Sequence, residues 1–186
     1  MPDHFNLLAP VYDRLIPPPD PERLRSLLRL PAAGRLLDAG GGTGRVASQL
    51  RPLVDDIVIS DMSPGMLQQA RQKNGLRPLV AQAEKLPFSD GSFDRVLVVD
   101  ALHHFCQQEE AVADLLRVLK PGGRLVIEEP NLEHFRVKLI ALAEKLALMR
   151  SHFYYPTAIQ AMVSNQGLTA HIERDETFTT WVVVDK

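Results

Sequence analysis

Short apolar runs alternate with amphipathic segments along most of the chain. Residues 95–99 have the sequence RVLVV, β-branched and almost free of polar side chains, which is typical of a strand covered on both faces. Residues 21–30 instead place Leu24, Leu27 and Leu28 on one face of a helix, with arginines elsewhere. Alternation of these two patterns predicts an α/β protein.

Glycine, proline and asparagine punctuate the patterns and set the limits of the predicted elements. Strands are predicted at residues 35–39, 57–60, 79–81, 95–99, 124–127, 169–173 and 177–184. Helices are predicted at residues 21–30, from the turn after the first strand to 52, from 64 to the stop at 74–75, and at 108–119, 133–149 and 157–166. The first five strands are linked by helices and must run parallel, whereas the last two are close in sequence and should pair antiparallel. We therefore expect a doubly wound, Rossmann-like, mainly parallel seven-stranded sheet with a C-terminal antiparallel ribbon at one edge.

The domain organisation follows from length and from one proline-rich corner. At 186 residues the chain predicts a single domain spanning residues 1–186. Pro17, Pro18 and Pro19 separate an N-terminal arm, residues 1–20, from a core of residues 21–186, and we expect the arm to lie over the functional site.

Charge argues against a nucleic-acid partner. The 21 basic and 23 acidic residues give a net charge of −2, and no cluster of Lys and Arg is visible. The chain has one cysteine, Cys106, which excludes an internal disulfide framework and a multi-cysteine zinc site. We interpret this cysteine as a small buried apolar residue. The scattered histidines predict no metal site.

The sequence shows neither a membrane-spanning segment nor a secretory signal, and this bears on where the protein is expected in the cell. No run approaches the ~20 apolar residues of a membrane-spanning helix, and the N-terminus lacks the basic start and apolar core of a secretory signal. We therefore expect a cytoplasmic protein without stable membrane insertion.

The most informative segment is the glycine-rich run LLDAGGGTGR at residues 36–45, where the first strand meets the first helix of the core. Glycines there permit turns that a side chain would block, so that a ligand can lie against the main chain near the free N–H groups of the helix. Asp61 ends the second strand 17 residues after Gly44, where a carboxylate can bind the two ribose hydroxyls of a nucleoside ligand.

Two nucleoside cofactors compete for such a site. A dinucleotide loop spaces its glycines G-x-G-x-x-G and holds a pyrophosphate, whereas the spacing here is G-x-G-x-G and Asp38 stands two residues before Gly40. A carboxylate beside a pyrophosphate is repulsive, but beside the ammonium of an amino acid it is attractive. The loop therefore favours S-adenosylmethionine over NAD.

Several ordered motifs resemble those of the class I S-adenosylmethionine-dependent methyltransferases. They are LLDAGGGTGRVA at residues 36–47, Asp61, AEKLPFSDGSFDRVLVVDALHHF at residues 83–105 and LKPGGRLVIEEP at residues 119–130. The resemblance is to the small-molecule group that includes the ubiquinone/menaquinone C-methyltransferases, which often carry an aromatic-plus-YD segment like Phe5 through Tyr12 and Asp13.

The resemblance implies a set of cofactor contacts. The methionine end would be held by Asp38 and the backbone of the loop glycines, which are Gly40, Gly41, Gly42 and Gly44. The ribose would be held by Asp61, the adenine by Met62, Gln82 and the backbone of Ala83, and the sulfonium would be flanked by Asp100 and Ala101. Where the family often has an acid before this alanine, the chain has Gln82, whose amide oxygen can still accept a hydrogen bond.

Four residues are candidates for the acceptor side. His103 and His104 follow the fourth strand and Glu128 follows the fifth, at the edge of the sheet where ligands bind, and Tyr12 lies on the arm. One histidine could be a general base, in which case the rate should fall as the pH drops through its ordinary pKa near ~6.5. A structural role for both histidines, with alignment alone explaining catalysis, stays open, as does closure of the site by Tyr154 and Tyr155.

Three functions are compatible with these residues. The first is methyl transfer to oxygen, nitrogen or carbon of a small molecule, such as a lipid-like acceptor or a quinone, by a monomer or homodimer. An NAD(P)-dependent oxidoreductase is second, disfavoured by Asp38 and by the lack of a Tyr-x-x-x-Lys constellation. The third is a methyltransferase-like protein that binds a ligand without catalysis.

Overall fold

A computed structural model describes residues 4–16, 18–132, 137–138, 151–175 and 178–186. Most of the helix expected at residues 133–149 lies outside the described residues.

One sheet of seven strands organises the described chain. The strands are β1 (Arg35–Ala39), β2 (Asp56–Asp61), β3 (Arg77–Val80), β4 (Phe93–Val99), β5 (Leu119–Pro130), β6 (Ala170–Arg174) and β7 (Thr179–Asp185). Their order is β3-β2-β1-β4-β5-β7-β6, parallel through β5 and antiparallel at β7 and β6. The expected doubly wound sheet with an antiparallel edge is confirmed, and β7 inserts between β5 and β6.

Seven α-helices and two 3₁₀ turns accompany the sheet among the described residues. The helices are α1 (His4–Leu8), α2 (Tyr12–Leu15), α3 (Pro21–Leu28), α4 (Ala47–Leu50), α5 (Pro64–Ala70), α6 (Gln108–Val118) and α7 (Pro156–Ser164). The 3₁₀ turns cover Arg51–Leu53 and Leu102–His104. The sequence pattern does not predict α1 and α2, because four or five residues carry too little periodicity to identify a helix.

Two apolar layers cover the sheet, one on each face. Leu36 and Leu97 pack with the α3 leucines, whereas Leu37 and Val96 pack on the other face with α6 and α7. This division follows the period of two along a strand. Each fully buried leucine stabilises the fold by ~1.5–3 kcal/mol relative to an exposed one, so both layers are needed to hold the central strands.

The start of β5 differs from its prediction. The pattern predicts a turn at residues 120–123, outside the strand, but β5 begins at Leu119, opposite Phe93, with an irregularity before the register resumes at Arg95 and Arg124. Lys186 pairs with this stretch, since its backbone N–H donates to Gly123 and its carbonyl accepts from Gly122. Tertiary hydrogen bonds therefore include the Pro-Gly-Gly segment in β5, although Gly122 has a φ of +77°.

The fold creates a crevice at the carboxyl edge of the sheet. Strand order reverses beside β1, which has β2 on one side and β4 on the other, and ligands bind at such switch points. The turns after β1 and β4 meet there, because the backbone of Gly40 faces Ala101. Helix α5 starts beside the end of β2, with the Ser63 hydroxyl accepting from Met66 N–H at 3.3 Å.

We expect Gly40→Ala to destabilise the protein more than Gly167→Ala. Both glycines have a similar φ, +73° and +77°, so the backbone strain of about 1–2 kcal/mol is shared. A Cβ at Gly40 would lie 2.5 Å from the Ala101 Cβ, whereas nothing lies within 4 Å of one at Gly167. Overpacking should add about 1–3 kcal/mol to the loss at Gly40, measured by urea unfolding. Equal losses would show that the two turns do not pack tightly.

Candidate active site

A cavity of about 370 Å³ occupies the crevice at the carboxyl edge. Twelve of the fifteen residues expected at the site line it. They are Tyr12, Asp38, Gly40, Gly41, Gly42, Asp61, Met62, Gln82, Ala83, Asp100, Ala101 and His104. Residues from the arm, the glycine loop and the ends of β2 and β4 are thus brought together around one space.

Three expected site residues do not line this cavity. Gly44 faces the core, where an added Cβ would lie 2.8 Å from Ile59. His103 is buried and turns toward β5. Glu128 is buried beneath β7, where its Oε2 accepts a 2.6 Å hydrogen bond from the indole of Trp181. These three residues have other contacts in this structure, so their contact with a ligand stays a prediction.

Asp38 is the most unusual group of the site. Its side chain is only 1% exposed, and neither carboxylate oxygen makes a hydrogen bond within the described structure. Burial raises its pKa to about 7, while Arg45 and the nearby Ala47 N–H, which falls short of hydrogen-bond geometry, oppose the rise. A buried carboxylate without a partner costs free energy, and a cationic ligand group in the cavity would relieve that cost.

Asp61 joins two parts of the cavity wall. Its carboxylate accepts from the Gly42 N–H at 2.9 Å and from the Ser63 N–H at 2.8 Å. One side chain therefore ties the glycine loop to the start of α5. A Cβ on Gly42 would meet only ordinary contacts, 3.8 Å from Asp61, so the space beside this glycine belongs to the cavity.

Sequence reasoning assigned no role to Arg45, the residue after the last loop glycine. Arg45 lines the cavity, is buried, and forms an ion pair with Asp100 at 3.2 Å. Its charge also acts on Asp38 and Tyr12. The available signal was its position directly after the glycine loop.

Asp100 itself has an unusual backbone. Its φ is +50°, a conformation that non-glycine residues rarely adopt. Burial and the neighbouring Glu129 raise its pKa, while Arg45 opposes them. Backbone strain of this kind persists only where the surroundings enforce it, and it is concentrated at functional sites.

The N-terminal arm contributes to the cavity wall and is attached at two points. Phe5 and Tyr12 line the cavity. Asn6 Oδ1 accepts from the Ser63 hydroxyl and the Gly65 N–H at 2.8 and 2.7 Å. Asp13 bonds to the Thr43 hydroxyl and to Lys73. The arm thus bridges the glycine loop and the start of α5.

The end of the cavity beside the turn after β4 contains His104. Its ring lies edge-on to Phe5 and 4.0 Å from the His103 ring, centroid to centroid, and its Nδ1 is 3.2 Å from the Ser151 hydroxyl. Burial and the adjacent His103 lower the pKa of His104 to about 3. His104 is therefore neutral at physiological pH.

Two tyrosines and a cysteine were also expected near this end or in the core. Tyr154 and Tyr155 are exposed and do not line the cavity. Cys106 is exposed and does line it, so the expectation of a buried thiol was wrong. The Glu84 carboxylate, at 2.8 Å from the Cys106 N–H, holds this backbone outward.

Carboxylates dominate the charged lining. Among the described lining residues the acids are Asp38, Asp61, Glu84 and Asp100, and Arg45 is the single cation other than histidine. Such a cavity favours a ligand that carries positive charge.

Two absences apply to the described part of the chain. It holds no group of three or more His, Cys, Asp and Glu side chains that could bind a metal ion. None of its helices has the length and apolar character needed to span a bilayer.

We expect Cys106 to react with 5,5′-dithiobis(2-nitrobenzoic acid) in the folded protein, because its side chain is exposed. One thiol per chain should be titrated without denaturant, and urea should add none, since the chain has one cysteine. The release of thionitrobenzoate at 412 nm (a property of the reagent) follows the reaction. Labelling that requires urea would place the thiol inside the protein.

Comparison with known proteins agrees with this geometry. A family model described as a methyltransferase domain matches residues 37–127. Over 105 residues the chain is 40% identical to the ubiquinone/menaquinone biosynthesis C-methyltransferase of Stutzerimonas stutzeri, covering 51% of this chain and 41% of that protein. The match therefore spans less than half the length of this relative.

Solved structures extend the similarity of the fold. The YcgJ protein from Bacillus subtilis has a TM-score of 0.72 and 26% identity, over 83% of this chain and 70% of its own. A methyltransferase solved with the Haloferax volcanii Trm112 methyltransferase activator has a TM-score of 0.80 and 19% identity, over 100% of this chain and 98% of its own, and shows the fold alone. Residues 37–127 therefore match a methyltransferase domain, and over about half its length the chain is similar to the ubiquinone/menaquinone C-methyltransferases.

Proposed function

We propose that this protein binds S-adenosylmethionine and transfers its methyl group to a small-molecule acceptor. The observation that carries the proposal is the buried, unpartnered carboxylate of Asp38 in the glycine loop, facing a cavity whose charged lining residues are mainly acids. S-adenosylmethionine carries an ammonium, a sulfonium and one carboxylate, so its net charge complements this lining.

The lining residues fit the parts of this cofactor. Asp38 would accept from the ammonium, and Arg45 supplies the positive charge that the carboxylate requires. Asp61 would bind the ribose hydroxyls, as expected from its place at the end of β2. The adenine would lie against Met62, whose side chain is 55% exposed and available for contact, and beside Gln82 and Ala83. When bound, the cofactor supplies an electrophilic methyl group on a sulfonium, and its transfer leaves S-adenosylhomocysteine.

The same lining argues against the other two functions. The pyrophosphate of NAD would face the buried Asp38, and the one cation of the described lining besides histidine, Arg45, is already paired with Asp100 at 3.2 Å. A protein that only binds its ligand has no need of the strained Asp100, whose position at the end of β4 is where reacting atoms would meet.

We further propose that His104 orients the acceptor by hydrogen bonding and does not act as a general base. An efficient general base has a pKa near the working pH, whereas the pKa of His104 lies at about 3. Its neutral imidazole remains able to hydrogen-bond an acceptor hydroxyl or amine through Nε2. The fall in rate near pH 6.5 that a histidine base would cause is therefore no longer expected. Between pH 5 and 8 the protonation of His104 does not change, so it adds no pH dependence to the rate. Catalysis would then rest mainly on proximity and orientation, which can supply ~7–11 kcal/mol.

The acceptor proposed is a small ring compound such as a quinone or its reduced form. Phe5, Tyr12 and Phe105 give this part of the cavity an aromatic wall, which suits a planar apolar molecule. The relative named above is a ubiquinone/menaquinone biosynthesis enzyme, which supports a lipid-like acceptor. An exposed single thiol fits a reducing cytoplasm, in which the protein would act as a monomer or homodimer.

Isothermal titration with S-adenosylhomocysteine and with NADH tests the cofactor. We expect S-adenosylhomocysteine to bind and to raise the melting temperature. At one hundred times its Kd it should raise the free energy of unfolding by about 2.7 kcal/mol. NADH should do neither. Label from methyl-¹⁴C S-adenosylmethionine should then enter a member of a panel of short-chain quinols, phenols and amines. Binding of NADH alone would refute the cofactor, and tight cofactor binding without transfer to any acceptor would favour the non-catalytic function.

We expect the affinity for S-adenosylhomocysteine to depend on Asp38 and on pH. The ligand ammonium requires the ionised carboxylate, whose pKa is about 7 in the free protein. Protonation therefore competes with binding as the pH falls, and Kd should rise about tenfold between pH 8 and pH 6. In Asp38→Asn binding should be weak at both pH values and the pH dependence should disappear.

Stability provides the control for this variant. Because the pKa of Asp38 is raised from 3.8 to about 7 in the folded protein, this carboxyl lowers the free energy of unfolding progressively as the pH rises between these two values, and the loss is complete above about 7. Asp38→Asn should therefore raise the free energy of unfolding at pH 8, by about 1–3 kcal/mol, and much less at pH 5. A variant that loses both stability and binding would instead indicate a structural role for the carboxylate.

A further inference from the structure

Glu129, the residue after Glu128, makes three hydrogen-bond contacts with the turn that follows β4. Its Oε1 accepts from the backbone N–H groups of Ala101 and Leu102 at 3.0 and 2.8 Å. Its Oε2 lies 2.6 Å from Nδ1 of His103. The carboxylate is buried and comes from β5, a central strand of the sheet, so it is a rigid anchor for the turn after β4.

These bonds meet a local need of the turn. The 3₁₀ turn Leu102–His104 begins with N–H groups that have no partner within the turn, and such groups are usually capped by a nearby side chain. Glu129 does this from a different strand, which fixes the turn relative to the sheet. Ala101 and His104, which line the cavity at either end of this turn, are placed by the same contact.

The contact between Glu129 and His103 favours one of the two positions for hydrogen on the His103 ring. Nδ1 of His103 and Oε2 of Glu129 are 2.6 Å apart, so a hydrogen lies between them, and we expect Nδ1 to carry it. The His103 ring is held between Phe153, stacked at 4.2 Å and 13°, and His104 at 4.0 Å. Its carbonyl also accepts from the His152 N–H at 2.7 Å. His103 therefore has one orientation, with its ring against the ring of His104.

We infer that Glu129 is a positioning residue for His104: through His103 and the backbone of residues 101–102 it sets the place and protonation of the imidazole facing the acceptor. The inference rests on the proposed function only in placing the acceptor at this end of the cavity. Proximity of His103 is one of the two causes, after burial, that lower the pKa of His104. Other charged or titratable groups that face this region are Asp100 from β4, its partner Arg45, and Tyr12 from α2.

Nitrogen-15 NMR of the histidine rings tests the inference without any cofactor. In the unchanged protein His103 should have a protonated Nδ1, and His104 should not titrate between pH 5 and 8. In Glu129→Gln the amide nitrogen cannot accept from Nδ1, so His103 should lose that proton at pH 8. The pKa of His104 should then rise above about 3, while burial, the larger of its two causes, still holds it below the ordinary histidine value. Unchanged ring signals of both histidines in a folded Glu129→Gln protein would overturn the inference.

Ligand binding separates positioning of the turn from the effect on the rings. Glutamine keeps one oxygen for Ala101 and Leu102, so Glu129→Gln should bind S-adenosylhomocysteine within about threefold of the unchanged protein, whereas Glu129→Ala should bind about tenfold more weakly. Equal affinity of a folded Glu129→Ala protein would contradict a positioning role. If the alanine variant does not fold, the ring signals of Glu129→Gln decide.

Asp114→Asn is the matched control. Asp114 also tethers a loop through a backbone N–H, that of Leu86 at 2.7 Å, but it lies outside the cavity lining. The substitution should leave the ring signals and ligand affinity unchanged, so that any change in Glu129→Gln reflects its place and not the general loss of a carboxylate. Failure of S-adenosylhomocysteine to bind any of these proteins would refute the proposed cofactor and leave the NMR result standing.

Discussion

The buried carboxyl group of Asp38, on the interior strand β1, is the constraint on which the rest of the site depends. Strand β1 pairs on both sides, with Asp38 opposite Ile59 and Leu97, so the carboxylate cannot reach bulk water by a small shift. The apolar layers on both faces of the sheet must stabilise the fold enough to hold this group in place. The free energy stored in it becomes available to any ligand that brings a positive charge to the glycine loop.

Much of the fold could be predicted because its signals are local. Strand β4 is recognisable from a run of β-branched residues, and α5 from Ser63 and Pro64 at its start. The site was predictable where a backbone requirement or a strand end determines it, as at Gly42 and Asp61. Both lie where the direction of the chain alone places them beside the crevice.

The remaining features depend on side-chain direction and on contacts distant in sequence. Glu128 and Glu129 are neighbours with opposite directions, one toward Trp181 and one toward the turn after β4, and the sequence does not say where the alternation of β5 begins. His103 and His104 diverge for a similar reason, because a 3₁₀ turn formed there, capped by a residue 27 positions later. Arg45 was missed because an arginine after a glycine loop is usually interpreted as an exposed helix residue.

The structure of the N-terminal arm depends on its attachment to the rest of the protein. Helices α1 and α2 contain five and four residues, far below the length at which an isolated helix persists in water. Their shape depends on the contacts of Asn6 and Asp13 with the core and on the cavity walls that Phe5 and Tyr12 complete. A molecule filling the cavity would touch these same walls and share its binding free energy with the arm. Susceptibility of residues 4–16 to proteases would then report whether the cavity at the edge of the sheet is occupied.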